Sequence, residues 1–216
     1  MSGHVFIYAM SYDLGFAPNP YNGWCTLTCC KPGIRRKATV GDWIVGMGGT
    51  KLKAKGRCVF AMRVTEAMTF DDYATDKRFL TKRPVRNGSP KKLVGDNVYS
   101  RASEAQPWVQ ADCMHSKPDG TQCNLNTQHD TGTNRVLVSD AFLYFGSSAP
   151  HVPPKILKNV GFQRIRNYRK VPIDECDDLL TWIAEQSPKG FGKVLGDPFD
   201  RNKRGMRYSY TKNRLV

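Results

Sequence analysis

Short apolar runs with the β-branched and aromatic bias of strands dominate the first two thirds of the chain, and helical periodicity is rare there. The pattern predicts strands over 5–10, 41–48, 57–68 and 135–145. An acid-capped amphipathic helix is predicted over 173–186. Because strands and helices do not alternate as βαβ units would, we expect one α+β domain spanning residues 1–216. It would be built on a curved, mostly antiparallel sheet, or closed into a small barrel, with few helices.

Two shorter helices are also predicted. Thr69 precedes Asp71 and Asp72, which is the pattern of a capped helix start. Pro153 and Pro154 can open a helix that reaches Lys158, because proline suits a first helical turn. By contrast, the stretches 77–107 and 113–133 are broken by turn formers and are expected to be irregular.

The charge indicates a polyanionic partner. The chain carries 33 Lys and Arg against 19 Asp and Glu, a net charge of +14, and its pI is about 9.6. Nucleic acid is the commonest partner of such a surface, so DNA is expected; a basic protein that is merely soluble is the alternative. The stretches 77–92 and 155–170 contain no acid. Their candidate contacts to the DNA backbone are Lys82, Arg83, Arg86, Lys91, Lys92, Arg164, Arg166 and Arg169.

No membrane association is expected. The chain has neither an apolar run of about 18 residues nor a basic amphipathic helix with bulky apolar residues opposite. The first residues lack the basic start of a secretory signal. The cysteine count of seven is odd, which fits reduced thiols better than a disulfide framework. We therefore expect a cytoplasmic location.

The segment 11–32 is long, irregular and rich in aromatic residues, turn formers and thiols. A compact domain tolerates such a segment mainly where it lines a site, so we interpret it as a functional loop. A well-packed surface loop without chemistry is the alternative. The aromatics Tyr12, Phe16, Tyr21, Trp24 and Trp43 accompany the amides of Asn19 and Asn22, a combination that can stack on and hydrogen-bond a flipped base. Alternatively, these rings fill the core beneath the loop.

Three thiols, Cys25, Cys29 and Cys30, lie beside four cations. Neighbouring cations favour a reactive thiolate, although each thiol could equally be a small buried apolar group. The cations are Lys31, Arg35, Arg36 and Lys37.

Acid–base groups are also present. His115 could form a general-base pair with Asp119 or Asp130. Asp13 is either a turn former or a ligand-facing carboxylate.

A zinc site is the weaker alternative. Four zinc-type ligands occur within one irregular stretch, but the usual Cys-x-x-Cys or His-x-x-x-His pairs are missing. We therefore assign no metal, and the sequence does not identify a cofactor. The four residues are Cys113, His115, Cys123 and His129.

Several segments resemble the second of the nucleotide modification associated domain families. The most specific are YDLGFAPNP at 12–20, CTL at 25–27, CKP at 30–32 and GDWIVG at 41–46. Weaker similarities are GDNVY at 95–99, VLVS at 136–139 and YFG at 144–146. The resemblance spans about residues 5–155, and we match no part of 156–216, which we read as a helix and a basic tail.

The resemblance implies a function in DNA base hypermodification, because that family is associated with phage and bacterial DNA-modification systems. No settled catalytic set comes with it. It implies a candidate site of Asp13, Asn19, Cys25, Lys31, Arg35, His115, Asp119 and Asp130. Small-molecule nucleotides and other DNA-modification enzymes are further candidate partners.

Two functional hypotheses follow: an enzyme or its accessory, or a non-catalytic reader of modified bases. For the reader, the Gly-Asp-Trp at 41–43 is similar to the strand opening of base-reading barrels, an analogy of fold alone. Our candidate catalytic residues are Asp13, Cys25, His115, Asp119 and Asp130. Our candidate base- or substrate-binding residues are Tyr12, Phe16, Asn19, Tyr21, Trp24, Lys31, Arg35 and Trp43.

Overall fold

The computed structural model of the chain describes residues 3–162, 165 and 167–216. Its strands are β1 (His4–Met10), β2 (Cys25–Leu27), β3 (Trp43–Gly48), β4 (Cys58–Arg63), β5 (Glu66–Met68), β6 (Tyr99–Ser100), β7 (Val109–Gln110), β8 (Val136–Ser139), β9 (Ala141–Tyr144), β10 (Arg169–Pro172), β11 (Lys193–Val194), β12 (Tyr208–Ser209) and β13 (Arg214–Leu215). Its helices are α1 (Pro32–Lys37), α2 (Phe70–Thr75), α3 (Pro90–Leu93), α4 (Asn124–Thr131), α5 (Pro154–Asn159) and α6 (Asp177–Glu185).

The larger sheet has six strands in the order β10-β1-β3-β4-β9-β11. β1 pairs in parallel with β3 and β9 with β11, whereas the remaining neighbours are antiparallel. β1 and β4 are buried over nearly their whole length, which explains their near-continuous apolar sequences. The edge strands β10 and β11 do not pair with each other. The small barrel that we considered is therefore not formed within the described residues.

Two predicted strands are each divided between two sheets. The stretch 57–68 becomes β4 and β5, and 135–145 becomes β8 and β9. β5 and β8 belong to a second sheet of three strands, in the order β2-β8-β5. The chain crosses between sheets near Thr65, whose backbone N–H donates to the Val138 carbonyl. Apolar side chains alone do not show this crossing, because both sheets bury them.

One hydrophobic core surrounds the larger sheet, and a second packs against β8 and the segment 11–32. The second core includes Phe16, Tyr73, Phe79 and Val136. Ala17 packs against both cores, so the two are adjacent. This mixture of sheets and short helices is consistent with one α+β domain.

The capped helix at Thr69 is confirmed as α2. The Thr69 side chain accepts a hydrogen bond from the Asp72 N–H, and the Asp72 carboxylate accepts one from the Thr69 N–H. The proline-initiated helix is confirmed as α5. The helix predicted over 173–186 begins as a 3₁₀ turn, Ile173–Cys176, and continues as α6.

Three helices were not predicted. α3 and α4 lie within the stretches 77–107 and 113–133, which we expected to be irregular, and α1 begins at the last residue of the segment 11–32. None of the three has a side-chain cap, and α4 presents no regular apolar stripe. No helix in the described ranges is long and apolar enough to cross a membrane.

Candidate active site

The segment 11–32 forms one wall of a cavity of about 420 Å³. The end of β1, the region around His115 and the hairpin β12–β13 form the rest. This volume lies within the usual range for small-molecule sites. The aromatic residues of the lining are Tyr8, Tyr12, Phe16, Tyr168, Tyr208 and Tyr210.

Cys30 reaches this cavity from a strand–turn–helix arrangement. It lies between β2 and α1, and both Cys30 (φ 60°) and Lys31 (φ 42°) have left-handed backbone conformations. Residues other than glycine rarely adopt a left-handed backbone conformation. Where they do, the surrounding structure often holds a functional group in place. The turn leaves Cys30 partly exposed in the cavity wall, while the adjacent Cys29 is fully buried.

His115 lies next to the Cys30 thiol. The Nε2 atom of His115 is 3.6 Å from the Cys30 Sγ atom, and its Nδ1 atom is 2.7 Å from Oδ2 of Asp130. The edge of the Phe16 ring packs against the imidazole, with ring centroids 5.0 Å apart. A thiol, an imidazole and a carboxylate in this order are the arrangement of a nucleophile, its base and the group that orients the base.

Asp130 is held in place by further hydrogen bonds. Its Oδ1 atom accepts the Cys30 backbone N–H at 2.7 Å, and its Oδ2 atom accepts the Tyr99 hydroxyl at 2.8 Å. The carboxylate therefore contacts both the imidazole and the backbone of the thiol residue. This shared partner fixes the relative position of Cys30 and His115.

Arg35 connects the two chain segments that carry these groups. Its buried guanidinium donates to the carbonyl oxygens of Cys30 and Asp130, at 2.9 and 2.5 Å. It also donates to the carbonyls of Thr133 and Arg135, at 2.8 and 2.6 Å. Because these bonds occupy the guanidinium, Arg35 acts as a positioning residue and not as the substrate-binding group that we predicted.

The charges of the site favour an imidazolium. Burial alone lowers the pKa of His115, but the Asp130 carboxylate and Cys30 outweigh it and raise the pKa well above its usual value. For Asp130, burial raises the pKa, and the nearby His115 and Arg35 cations outweigh it and lower the pKa. A protonated His115 directs an N–H at the Cys30 sulfur.

A metal would have to use part of the same cluster. The ligand atoms of Cys29, His115 and Asp130 lie within 4.8 Å of one another. However, both Asp130 oxygens already accept hydrogen bonds, and burial raises the pKa of Cys29 well above the usual thiol value. These residues fit a hydrogen-bonded acid–base site better than a metal site. The four zinc-type ligands that we considered do not converge within the described ranges.

The sequence model of the family described as Nucleotide modification associated domain 2 matches residues 2–205. The chain belongs to this family. The resemblance is thus confirmed, and the match extends beyond the segment 5–155 in which we recognised it. No curated protein and no solved structure matches the chain. Membership of this nucleotide modification associated family indicates a role in nucleotide or base modification.

Two of the candidate catalytic residues of this family member are brought together, namely His115 and Asp130. Asp119 is exposed in a turn, where it accepts hydrogen bonds from the Thr121 N–H and hydroxyl. The prediction that left Asp119 and Asp130 as alternative partners of His115 is therefore resolved in favour of Asp130. His115 and Asp119 are only four residues apart in the sequence, yet their side chains are not in contact.

Cys25 does not line the cavity. It is fully buried in β2, its Sγ atom contacts the sulfur of Met62 at 3.8 Å, and burial raises its pKa to about 12. Our candidate catalytic residues included Cys25, but the thiol that lines the cavity beside His115 is that of Cys30. The signal in the sequence was the change from strand to turn after Thr28, which separates buried from accessible thiols.

Asp13 does not line the cavity. Its carboxylate accepts hydrogen bonds from the Tyr144 hydroxyl and the Phe199 N–H, while its own N–H donates to Asp200. Burial raises its pKa to about 6. Asp13 therefore connects the first loop to β9 and to the carboxyl-terminal part of the chain.

The candidate base-binding residues divide into two groups. Three of them line the cavity: Tyr12, Phe16 and Lys31. The remainder do not. Asn19 binds the Val94 carbonyl, the Tyr21 hydroxyl accepts from Arg204, Trp24 packs on Phe79, and Trp43 packs on Phe191. For these residues the alternative interpretation holds, because their side chains fill or support the core.

Lys82, which we expected to contact DNA, is buried with 1% exposure. Its ammonium donates to the oxygens of Asn19, Trp24 and Thr26, and burial lowers its pKa to about 8. Because Lys82 lies in the basic stretch 77–92, the sequence did not show that its ammonium binds buried oxygens.

The other candidate backbone contacts differ in exposure. Arg83, Lys91, Lys92 and Arg169 are exposed. Arg86 is partly buried and donates to the Gly205 carbonyl. Arg164 and Arg166 lie outside the described residues.

Proposed function

We propose that the chain is a cysteine-dependent enzyme of nucleotide or base modification. Cys30 is the nucleophile, His115 exchanges its proton, and Asp130 orients and stabilises the imidazolium. The observation that carries this proposal is the continuous contact from the Cys30 sulfur through His115 to Asp130, at 3.6 and 2.7 Å. Such contact between a nucleophile, a base and an orienting carboxylate supports covalent catalysis.

The lining of the cavity supports a base or nucleotide as the substrate. Tyr12 and Phe16 contribute aromatic rings to the cavity lining, and base–aromatic stacking contributes about 1–3 kcal/mol per base. Lys31 adds a cation close to Cys30, and Asn126 adds an amide. Such groups suit the carbonyls and phosphates of a nucleotide. Membership of the family points to the same class of substrate.

The proposed context is DNA. The net charge of +14 and the exposed cations of 83–92 suit a polyanion. A base would enter the cavity after leaving the duplex, as it does in other enzymes that act on bases.

A non-catalytic reader of modified bases is the second candidate, and the aromatic lining favours it. A reader needs stacking faces and polar contacts but no reactive thiol. The two functions differ in what Cys30 contributes. In a reader, Tyr12→Ala would remove the preference for modified DNA, whereas Cys30→Ala would leave it intact.

Thiol reactivity tests the enzyme directly. We expect iodoacetamide to alkylate Cys30 faster than any other cysteine, because it is partly exposed beside an imidazolium. His115→Ala should slow this alkylation by about 10²-fold, the usual contribution of a general base. Peptide mass spectrometry after timed alkylation measures the rate at each cysteine.

Cys123 is the matched control, because it is also partly exposed but has no imidazole partner among the described contacts. Alkylation of Cys123 as fast as Cys30 would contradict the assignment of the nucleophile. The cellular test compares nucleosides from cells carrying the wild-type chain, Cys30→Ala or Cys123→Ala. A modified nucleoside that persists with Cys30→Ala would overturn the enzyme proposal.

A further inference from the structure

Tyr8 combines burial with an unused hydrogen-bond donor. It is 2% exposed, yet within the described part of the chain its hydroxyl has no hydrogen-bond partner. Leaving a buried hydroxyl unpaired destabilises the fold, so such groups are rare in folded proteins. Packing alone does not account for Tyr8, since phenylalanine would fill the same space without this cost.

The position of Tyr8 indicates what the hydroxyl is for. Tyr8 lines the same cavity as Cys30 and His115. The Lys31 ammonium lies 4.6 Å from the centroid of its ring, and the ring packs edge-on against Phe60 at 6.0 Å. β1 therefore holds a fixed donor, with a cation beside it, in the wall that contains the nucleophile. A preorganised donor next to a nucleophile is the arrangement that stabilises a developing oxyanion.

We infer that the Tyr8 hydroxyl donates to the carbonyl oxygen of an acyl substrate while Cys30 attacks its carbonyl carbon. This inference rests on the proposed function and names its chemical class: transfer of an acyl group from an ester or amide to an amine or to water. Tyr8 is then a catalytic residue, because it contacts the reacting atoms.

The first half of the reaction forms a thioester. As the reaction begins, Nε2 of His115 takes the Cys30 proton. The sulfur bonds to the carbonyl carbon, and the C=O electron pair moves onto the oxygen, which accepts the Tyr8 hydrogen bond. The electron pair on the oxygen then re-forms the C=O bond. The bond from carbon to the leaving oxygen or nitrogen breaks, and His115 protonates the leaving group.

The second half regenerates the enzyme. An amine or a water molecule attacks the thioester carbon and gives a proton to His115, while Tyr8 again donates to the oxygen. The carbon–sulfur bond breaks and its electron pair returns to Cys30. Atoms and electrons balance without an oxidant or reductant. An exocyclic amine of a base in the aromatic cavity is the acceptor that fits the family.

Two reactions of the same thiol test this inference. p-Nitrophenyl acetate acylates a thiol through an oxyanion, whereas iodoacetamide alkylates it by displacement without one. We expect wild-type protein to release p-nitrophenolate with acetylation at Cys30, reversed by neutral hydroxylamine. Tyr8→Phe should slow this acylation on the order of 10²-fold and leave the alkylation rate of Cys30 within about twofold.

Tyr73→Phe is the control, because it removes a buried hydroxyl that binds Asp96 outside the cavity. It should change neither rate. If Tyr8→Phe slows acylation and alkylation equally, Tyr8 only packs the site. If it slows neither reaction, the hydroxyl has no role. Either result overturns the inference. If iodoacetamide alkylated Cys30 of the wild type no faster than the other cysteines, the proposed function itself would be contradicted. No acetylation of a rapidly alkylated Cys30 would exclude acyl transfer alone.

Discussion

At the scale of single residues, burial separates side chains that look equivalent in the sequence. Cys29 and Cys30 are adjacent, yet Cys29 is fully buried and Cys30 lines the cavity. The left-handed conformation at Cys30 turns the chain between β2 and α1 and directs successive side chains differently. Cys30 both lines the cavity and places its sulfur 3.6 Å from Nε2 of His115, whereas Cys29 is absent from the cavity lining. Reactivity therefore depends on a backbone conformation that residue type alone does not reveal.

Lys82 provides a prediction at this scale. Replacing it with methionine should destabilise the fold by about 3–5 kcal/mol, because the oxygens around its ammonium lose a shared donor and the nearby Asp96 loses a compensating charge. Urea denaturation monitored by tryptophan fluorescence measures the change. Lys91→Met, at an exposed lysine of the same basic run, should stay within about 0.5 kcal/mol of the wild type.

The pH dependence of this difference has a definite sign. The pKa of Lys82 is about 8 in the folded chain, lower than the ordinary lysine value of 10.5. Between these values the unfolded chain binds more protons, so this group raises the free energy of unfolding as pH increases. The deficit of Lys82→Met relative to the wild type should therefore widen from pH 8 to pH 10. If the wild type and Lys82→Met had equal free energies of unfolding at every pH, Lys82 would not be buried in the folded chain.

At the scale of elements, the site depends on two helices that their sequence patterns do not predict. α1 follows Cys30 and contains Arg35, and α4 contains Asp130 near its end. Both are short, and isolated helices of this length are marginal in water. Arg35 stabilises their arrangement through tertiary hydrogen bonds to carbonyls on both sides. For this reason the segment 113–133 was wrongly expected to be irregular throughout.

The hairpin β12–β13 is the element that completes the cavity, although it lies beyond the residues 2–205 that match the family. Tyr208 and Leu215 line the cavity, and the Tyr208 N–H donates to the Met114 carbonyl at 2.7 Å.

A chain that ends at Arg207 should therefore expose Cys30 to larger reagents. We expect its reaction with fluorescein maleimide to accelerate by a larger factor than its reaction with iodoacetamide, because removing the hairpin opens one wall. Stopped-flow labelling measures both rates. Tyr210→Phe, which keeps the ring beside His129, is the control and should match the full chain. An unchanged ratio of the two rates would show that the hairpin does not restrict access.

At the scale of the whole molecule, the cationic exterior is separate from the internal charges that build the site. Lys82 and Arg35 count toward the net charge of +14 but are buried. The cations that remain available to DNA include Arg83, Lys91 and Lys92. Electrostatic affinity should therefore follow the exposed subset and not the total charge.

Salt dependence of DNA binding tests this distinction. The affinity should fall as salt increases, and replacing both Lys91 and Lys92 with glutamine should reduce the slope of log K against log salt by about 2 for duplex DNA. Fluorescence anisotropy with a labelled oligonucleotide over a salt series measures the slope. Lys193→Gln, an exposed lysine outside both acid-free clusters, should leave it unchanged. An affinity independent of salt would contradict the DNA partner.

The sequence by itself determined the family, the four central strands of the larger sheet, the capped helix at Thr69 and two candidate acid partners for His115. These depend on local patterns: apolar runs, capping residues and short motifs. Tertiary structure alone decided which thiol meets His115, which acid orients it, and which cations are internal. The reason is physical, because burial and hydrogen-bond partners arise only when distant segments come into contact: Cys30 lies 85 residues from His115 and 100 residues from Asp130 along the chain.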